Sequence, residues 1–285
     1  MLSCSNLSKI RLNLQLGKVI EAASGISYSD YLQQQIFQPL GMKHSFVVGD
    51  KASALTVTGY SRQQGAAEYQ KPRQVDRSWI HAAGAIASNL SDMALWQQGL
   101  TSGKLLSKPQ YQQMITPATL TNGDQVQYGL GLHLYPIAGK LNYSHEGMVP
   151  GFMSFTVYFP QEDLYAVALS NDDSHHPGPL LLDLIALHLG LSPKVVPGPV
   201  TVDVAAKYTG KYVLSDTETK IISYQQGQLF SQINDGKKQL LQLRQNNAFS
   251  YHCTEDYFVL EQIKDKTALV PVSLYRGRGK PQFKI

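Results

Sequence analysis

The chain has 285 residues, 43% of them hydrophobic and 16% charged, which is enough apolar chain for one large globular domain or two. Its net charge of +4 comes from scattered rather than striped basic residues, which excludes a nucleic-acid footprint. No apolar run is long enough to span a membrane, and two cysteines, Cys4 and Cys253, give neither a disulfide framework nor a metal site. The opening Met1-Leu2-Ser3-Cys4-Ser5-Asn6 is too short and polar for a secretory signal. Residues 12–23 have helical spacing, and Gly25 is placed to close that helix. Ser27-Tyr28-Ser29-Asp30 reads as a capping box opening a second helix, with Tyr28, Tyr31, Leu32, Gln35 and Ile36 on one face and Pro39 as its stop. Residues 51–80 are polar and weakly periodic, and read as loop with short strands. Arg62, Arg73, Arg77 and Trp79 are its candidate contacts, with an ordinary surface loop as the plainer reading.

Ser91 is placed to cap a helix running through Leu100 to Gly103, and Ser107-Lys108-Pro109 opens a short helix carrying Tyr111 and Met114. Strands are expected at about 127–135, 141–144, 152–159 and 165–170, with connections short enough to make them antiparallel neighbours. Asp172, Asp173, His175 and His176 precede Pro177-Gly178-Pro179 and read as a loop rather than a metal cluster. Residues 180–191 form an apolar helix, expected to be buried on several sides. Gly190 to Val200, with Pro193, Pro197 and Pro199, reads as a linker. Beyond it, turn signals at Asp216, Gln226-Gly227, Asp235-Gly236, Asn246-Asn247 and Lys264-Asp265 predict a small all-β sandwich or barrel. The fold class is therefore α+β, divided as 1–191, a linker at 192–201, and 202–285.

Chemistry concentrates in Tyr143-Ser144-His145-Glu146-Gly147-Met148-Val149-Pro150-Gly151-Phe152. A histidine two residues before a glycine at a strand end sets an imidazole beside main chain that no Cβ covers. That combination suits acyl transfer, where a proton carrier and backbone N–H donors act together. The same decapeptide also reads as a hairpin turn with a surface histidine.

The decapeptide resembles the H-x-G form of the third motif of serine β-lactamase-like hydrolases, the family of class C β-lactamases, low-molecular-weight penicillin-binding proteins and related esterases. Other stretches resemble that family in its own order. They are Gly17-Lys18-Val19-Ile20-Glu21 leading through Ser24-Gly25 to Tyr28 and Tyr31-Leu32; Ile36-Phe37-Gln38-Pro39-Leu40-Gly41-Met42; Ala82-Ala83-Gly84-Ala85-Ile86-Ala87-Ser88 with Asp92-Met93-Ala94; Tyr128-Gly129-Leu130-Gly131; and Ser170-Asn171. The likeness runs from about Leu16 to Leu191, and the last segment resembles the lipocalin-like β-domain that follows the hydrolase domain in some members. It implies a partial β-lactamase-like domain, an antiparallel sheet flanked by helices. By the same resemblance, His145 stands for the usual lysine, with Gly147 and the N–H of Met148 beside it. The same resemblance implies that Asn6, in Cys4-Ser5-Asn6 with Cys4 at the tyrosine position, is the remnant of a Y-x-N motif; a disordered terminus is the plainer reading. The resemblance implies a small-molecule or peptide substrate, no cofactor, no metal, and a parent family that is usually exported.

The family's nucleophile is a serine one helical turn before a lysine, in S-x-x-K, which puts both side chains on one helix face. No lysine of this chain has a serine three residues before it. The expectation is that the motif belongs before Met1, so that the chain resembles the C-terminal part of a hydrolase. An apolar face left uncovered in this way predicts self-association, and leaves a non-catalytic binding protein as the alternative to an enzyme.

Overall fold

The computed structural model describes residues 15–49, 57–62, 68–72, 81–251, 256–273 and 277–285. Two compact units emerge, one drawn from Met1–Tyr135 and Leu141–Leu181, the other from Pro136–Lys140 and Leu182–Ile285. Among the described residues no helix is long and apolar enough to cross a membrane.

In the first unit, helix α1 covers 15–24 and ends where the Gly25 amide bonds the Glu21 carbonyl, as the sequence predicts. Helix α2 (Tyr28–Leu32) is capped by Ser27, whose hydroxyl oxygen accepts from the Asp30 amide at 3.0 Å. Pro39 does not stop it. A π-helical turn at Gln33–Phe37 carries the chain into a further turn, α3 (Gln38–Leu40), and Gly41 ends it. The wider turn absorbs the amide that proline lacks.

A two-residue strand β1 (Phe46–Val47), a turn of helix α4 (His81–Gly84), and β2 (Ile86–Ala87), which pairs with β1, come next. Helix α5 (Leu90–Thr101) is capped by Asn89 rather than Ser91, its side-chain oxygen accepting from the Asp92 amide at 2.9 Å. Asp92 is 2% exposed and accepts from the His44 amide at 2.8 Å and the Ser45 hydroxyl at 2.7 Å. Its charge lies in the first turn of α5, where the helix dipole favours it. Tyr28, Leu32, Phe37, Leu40, Met42, Val47 and Ala85 make the core of this region.

Helix α6 (Lys108–Met114) follows, then a short pair, β3 (Ala118–Thr119) with β4 (Gln125–Val126). Residues 127–135 are not a strand. They form a bent segment bridging to Ser144 only at His133, because Gly129 is pressed against the last turn of α6. The main sheet has three antiparallel strands, β5 (Tyr143–Val149), β6 (Phe152–Phe159) and β7 (Leu164–Ser170), in that order. The register pairs His145 with Thr156, Gly147 with Ser154 and Met148 with Met153. Alternation puts Ser144, Phe155, Val157 and Phe159 on the buried face, each at 5% exposure or less. Pro150-Gly151 makes the β5–β6 turn, with Gly151 at φ 84° as the second central position of a type II turn requires. Helix α7 (Gly178–Leu189) passes from the first unit into the second. Contrary to expectation it is not buried on several sides: Leu180, Leu184 and Leu187 are each more than half exposed.

In the second unit, helix α8 (Val202–Tyr208) precedes β8 (Gly210–Val213), β9 (Thr219–Gln225), β10 (Gln228–Ile233), β11 (Gln239–Arg244), β12 (Ala248–Tyr251), β13 (Tyr257–Ile263) and β14 (Lys266–Ser273), each antiparallel to the next. Gln226-Gly227 and Lys264-Asp265 are two-residue hairpin loops with positive φ at both positions. Of the last two short strands, β15 (Gly277–Arg278) and β16 (Gln282–Phe283), both pair with β14. The chain following β16 bridges to β8 through Lys284 and Tyr212. That contact nearly closes the sheet into a barrel filled by Tyr208, Tyr212, Ile222, Leu229, Leu241, Phe249 and Leu269.

Candidate active site

The decapeptide singled out above is mostly strand. It forms all of β5, so His145 and Gly147 lie along an edge strand rather than at a strand's end. His145 is exposed on the sheet face that also carries Thr156, and Thr156 donates its hydroxyl hydrogen to the His145 carbonyl at 3.3 Å. Gly147 keeps the adjoining position open. A Cβ built there would stand 2.7 Å from the Ser154 hydroxyl oxygen. Ser144 exchanges main-chain hydrogen bonds with His133 at 2.7 and 3.1 Å, on the side away from β6. By strand alternation the N–H and C=O of Glu146 and Met148 point to that same outer edge. Met148 is 61% exposed there.

The histidine's neighbours come from the bent segment 127–135. Tyr128 Oη lies 3.1 Å from His145 Nε2, and the His133 ring stacks 5.5 Å from the His145 ring. Burial pushes the Tyr128 hydroxyl up from its usual value, so at neutral pH it is a phenol that can give or take a hydrogen bond. Tyr128 was legible only as part of a glycine-rich motif; nothing in the spacing linked it to a histidine 17 residues on. On the opposite face, Glu146 Oε2 lies 3.1 Å from His176 Nε2. The Gly178 amide donates to His176 Nδ1 at 3.0 Å, which leaves Nε2 to carry the hydrogen facing Glu146.

The tip of the β5–β6 hairpin is clamped. Asp173 Oδ2 accepts from the Gly151 amide and from the Ser61 hydroxyl, both at 2.6 Å. A Cβ on Gly59 would lie 2.8 Å from the Gly151 carbonyl oxygen. Asp172 accepts from the Ser174 amide and hydroxyl and lies 3.0 Å from His175 Nδ1. The Ser174 hydroxyl, then His175, hold its carboxyl well below the usual range. Asp172 is thus spent on its own loop, while Asp173, His175 and His176 each reach another segment. Arg62 Nη2 lies 3.0 Å from His175 Nε2, and its guanidinium sits over the Tyr69 ring at 5.0 Å. Asn6, Arg73, Arg77 and Trp79 lie outside the described residues.

An imidazole hydrogen-bonded to a phenol, next to a Cβ-free stretch and outward-facing amides, can move a proton and polarise a carbonyl. Comparisons with known proteins give the family. The β-lactamase family model matches residues 9–190. Penicillin-binding protein 4* of Bacillus subtilis is 25% identical over 76% of this chain and 53% of its own length. A D-aminopeptidase of Brucella anthropi is 30% identical over 55% of this chain and 29% of its own. The chain thus spans about half or less of the length of these relatives. Among solved structures, the octameric penicillin-binding protein homologue from Pyrococcus abyssi superposes with a TM-score of 0.52 at 20% identity, covering 94% of this chain and 62% of its own. The D-amino acid amidase from Ochrobactrum anthropi SV3 complexed with L-phenylalanine amide gives 0.50 at 23%, covering 62% of this chain and 55% of its own. With the family match covering more than half of the sequence, and with helices and an antiparallel sheet arranged as that fold requires, the chain belongs to the β-lactamase family.

Proposed function

We propose that His145, Gly147 and Met148 form one wall of an acyl-transfer site for amide, β-lactam or ester bonds, in the manner of a serine hydrolase. The observation that carries this reading is the Tyr128–His145 hydrogen bond, made beside Gly147 on an edge strand of the three-stranded sheet. In this scheme His145 and Tyr128 hold or pass a proton near the scissile bond. The Met148 N–H supplies one of the donors to the developing oxyanion. Asn6 joins the site on its motif alone. Relatives named as D-aminopeptidase and D-amino acid amidase favour a small amide as substrate.

The absence of any serine three residues before a lysine favours a second reading, a non-catalytic relative that binds a peptide, a glycan or a protein. For acyl transfer to proceed, a Ser–Lys pair must come from outside these 285 residues. Losing a nucleophile system leaves only about 10³–10⁴-fold over water in a serine protease, from binding and the oxyanion hole. The chain alone should give no covalent adduct with a fluorescent penicillin or a fluorophosphonate. It should show no nitrocefin or p-nitrophenyl ester turnover that His145→Ala abolishes. Intact-mass spectrometry decides: a stoichiometric adduct on any serine, lost when that serine is mutated, would overturn this assignment of the nucleophile.

A further inference from the structure

The bent segment 127–135 brings a second imidazole to the site, and the acyl-transfer scheme gives it no task. His133 exchanges both main-chain hydrogen bonds with Ser144, at 2.7 and 3.1 Å. That exchange fixes its Cα beside the residue that precedes His145. Its ring lies nearly parallel to the His145 ring, at 28° and 5.5 Å between centroids. A third near-parallel ring, Tyr135, lies 6.1 Å from His133 at 27°. Tyr128 meets the His133 ring edge-on, at 4.9 Å and 74°, and reaches His145 through its hydroxyl. One short segment thus supplies both the hydrogen bond to His145 and a flat surface against its ring.

His145 is exposed and stands on an edge strand. The strand fixes its backbone but not its side-chain torsions, and an exposed imidazole visits several staggered wells. Proton transfer needs one orientation, held to about 0.5 Å. The hydrogen bond to Tyr128 pins one nitrogen yet leaves the ring free to swing about it. A flat ring against its face removes that swing, because offset-stacked rings attract and a rotated ring loses the contact. We infer that His133 is a positioning residue for His145: its ring sets the plane in which His145 Nε2 meets Tyr128 Oη. The role rests on the acyl-transfer reading of His145, whereas its test reads the imidazole itself without substrate, so the two can fail separately.

The test separates ring from bulk in the full chain. His133→Phe keeps a flat ring, His133→Leu keeps a bulky apolar group without one, and His133→Ala removes both. The first reading is the nuclear Overhauser contact between the Tyr128 and His145 rings. The second is the rate at which diethyl pyrocarbonate modifies His145, followed by peptide mass mapping with the exposed His44 as internal reference. A stacked contact biases an orientation by about two- to twelvefold. The His145 rate should therefore rise by about that factor in the leucine and alanine variants, with the Overhauser contact fading and the His44 rate unchanged. His133→Phe should keep both readings at their wild-type values. Where the alanine variant does not fold, the contrast between phenylalanine and leucine carries the test. No Overhauser contact in the wild-type chain, equal readings in the phenylalanine and leucine variants, or a folded alanine variant that matches the wild type would each overturn the inference.

Discussion

Single residues carry the strongest electrostatic statements in this chain, and Lys220 gives one with a sign. Burial lowers its pKa from 10.5 to about 8 in the folded barrel. A lysine whose folded pKa lies below its unfolded value binds its proton less well when folded, so folding is penalised at low pH. That penalty is fully present below about pH 8 and is relieved as pH rises toward the unfolded value. The shift corresponds to about 3 kcal/mol. Tyr212 works the other way: burial pushes its hydroxyl up to about 12, so its contribution is lost as pH passes its ordinary value of 10.0. The barrel should therefore gain stability between about pH 8 and 10, then lose it. Denaturant midpoints followed by fluorescence across that range check this, and in Lys220→Met the rise should vanish. A flat profile in the wild-type chain would refute the assignment. Lys220 was not legible in the sequence as buried, since a strand position reveals its face only once the register is known. His145 was legible because a His-x-Gly step is rare enough to stand out, whereas its partner Tyr128 depends on a bend that no periodicity records.

Elements were legible where local chemistry decides them and misread where tertiary contact does. Ser27 and Ser107 begin helices as their spacing suggests, because a cap is a contact within four residues. The segment 127–135 failed as a strand for a non-local reason: a Cβ on Gly129 would stand 2.1 Å from the Met114 carbonyl oxygen at the end of α6. The neighbouring amide of Leu130 bonds that same carbonyl at 2.9 Å. This contact holds the bend that brings Tyr128 to His145. Gly129→Ala must push α6 or the bend aside and should destabilise the first unit by about 2 kcal/mol or more. Because Tyr128 would move with the bend, the His145 imidazole resonances should shift as well. The hairpin tip offers a second check. Asp173 receives two hydrogen bonds at a turn the sequence reading treated only as loop, so Asp173→Ala should cost about 2–3 kcal/mol through the lost charged acceptor. Thermal melts that show either variant unchanged would mean these contacts do not hold the site in shape.

For the whole chain, the division into folding domains at 1–191 and 202–285, with 192–201 between, is retained as a proposal with one physical addition. The proline-rich stretch was read as a linker from composition, and composition does not report hydrogen bonds. Here the Val196 amide donates to the Leu243 carbonyl at 2.9 Å, and the Gln245 amide to the Lys194 carbonyl at 2.9 Å. The Val200 amide donates to Gly227 at 2.8 Å, and Tyr224 donates its hydroxyl hydrogen to the Val200 carbonyl at 2.9 Å. Arg244, 4% exposed, donates from Nη1 to the Pro193 carbonyl at 2.9 Å. Thr201 caps α8, which carries the buried Ala205 and Tyr208. Each bond is worth about 1 kcal/mol net, and more where the donor is charged, as the Arg244 guanidinium is. A barrel fragment beginning at Ser192 should therefore outlast one beginning at Val202 by about 3 kcal/mol or more. For a domain of this size that is a difference of more than about 10 °C in Tm. Both fragments can be made and melted side by side by circular dichroism. Equal midpoints would show that the stretch is a tether after all, and that the barrel's stability resides entirely in its strands.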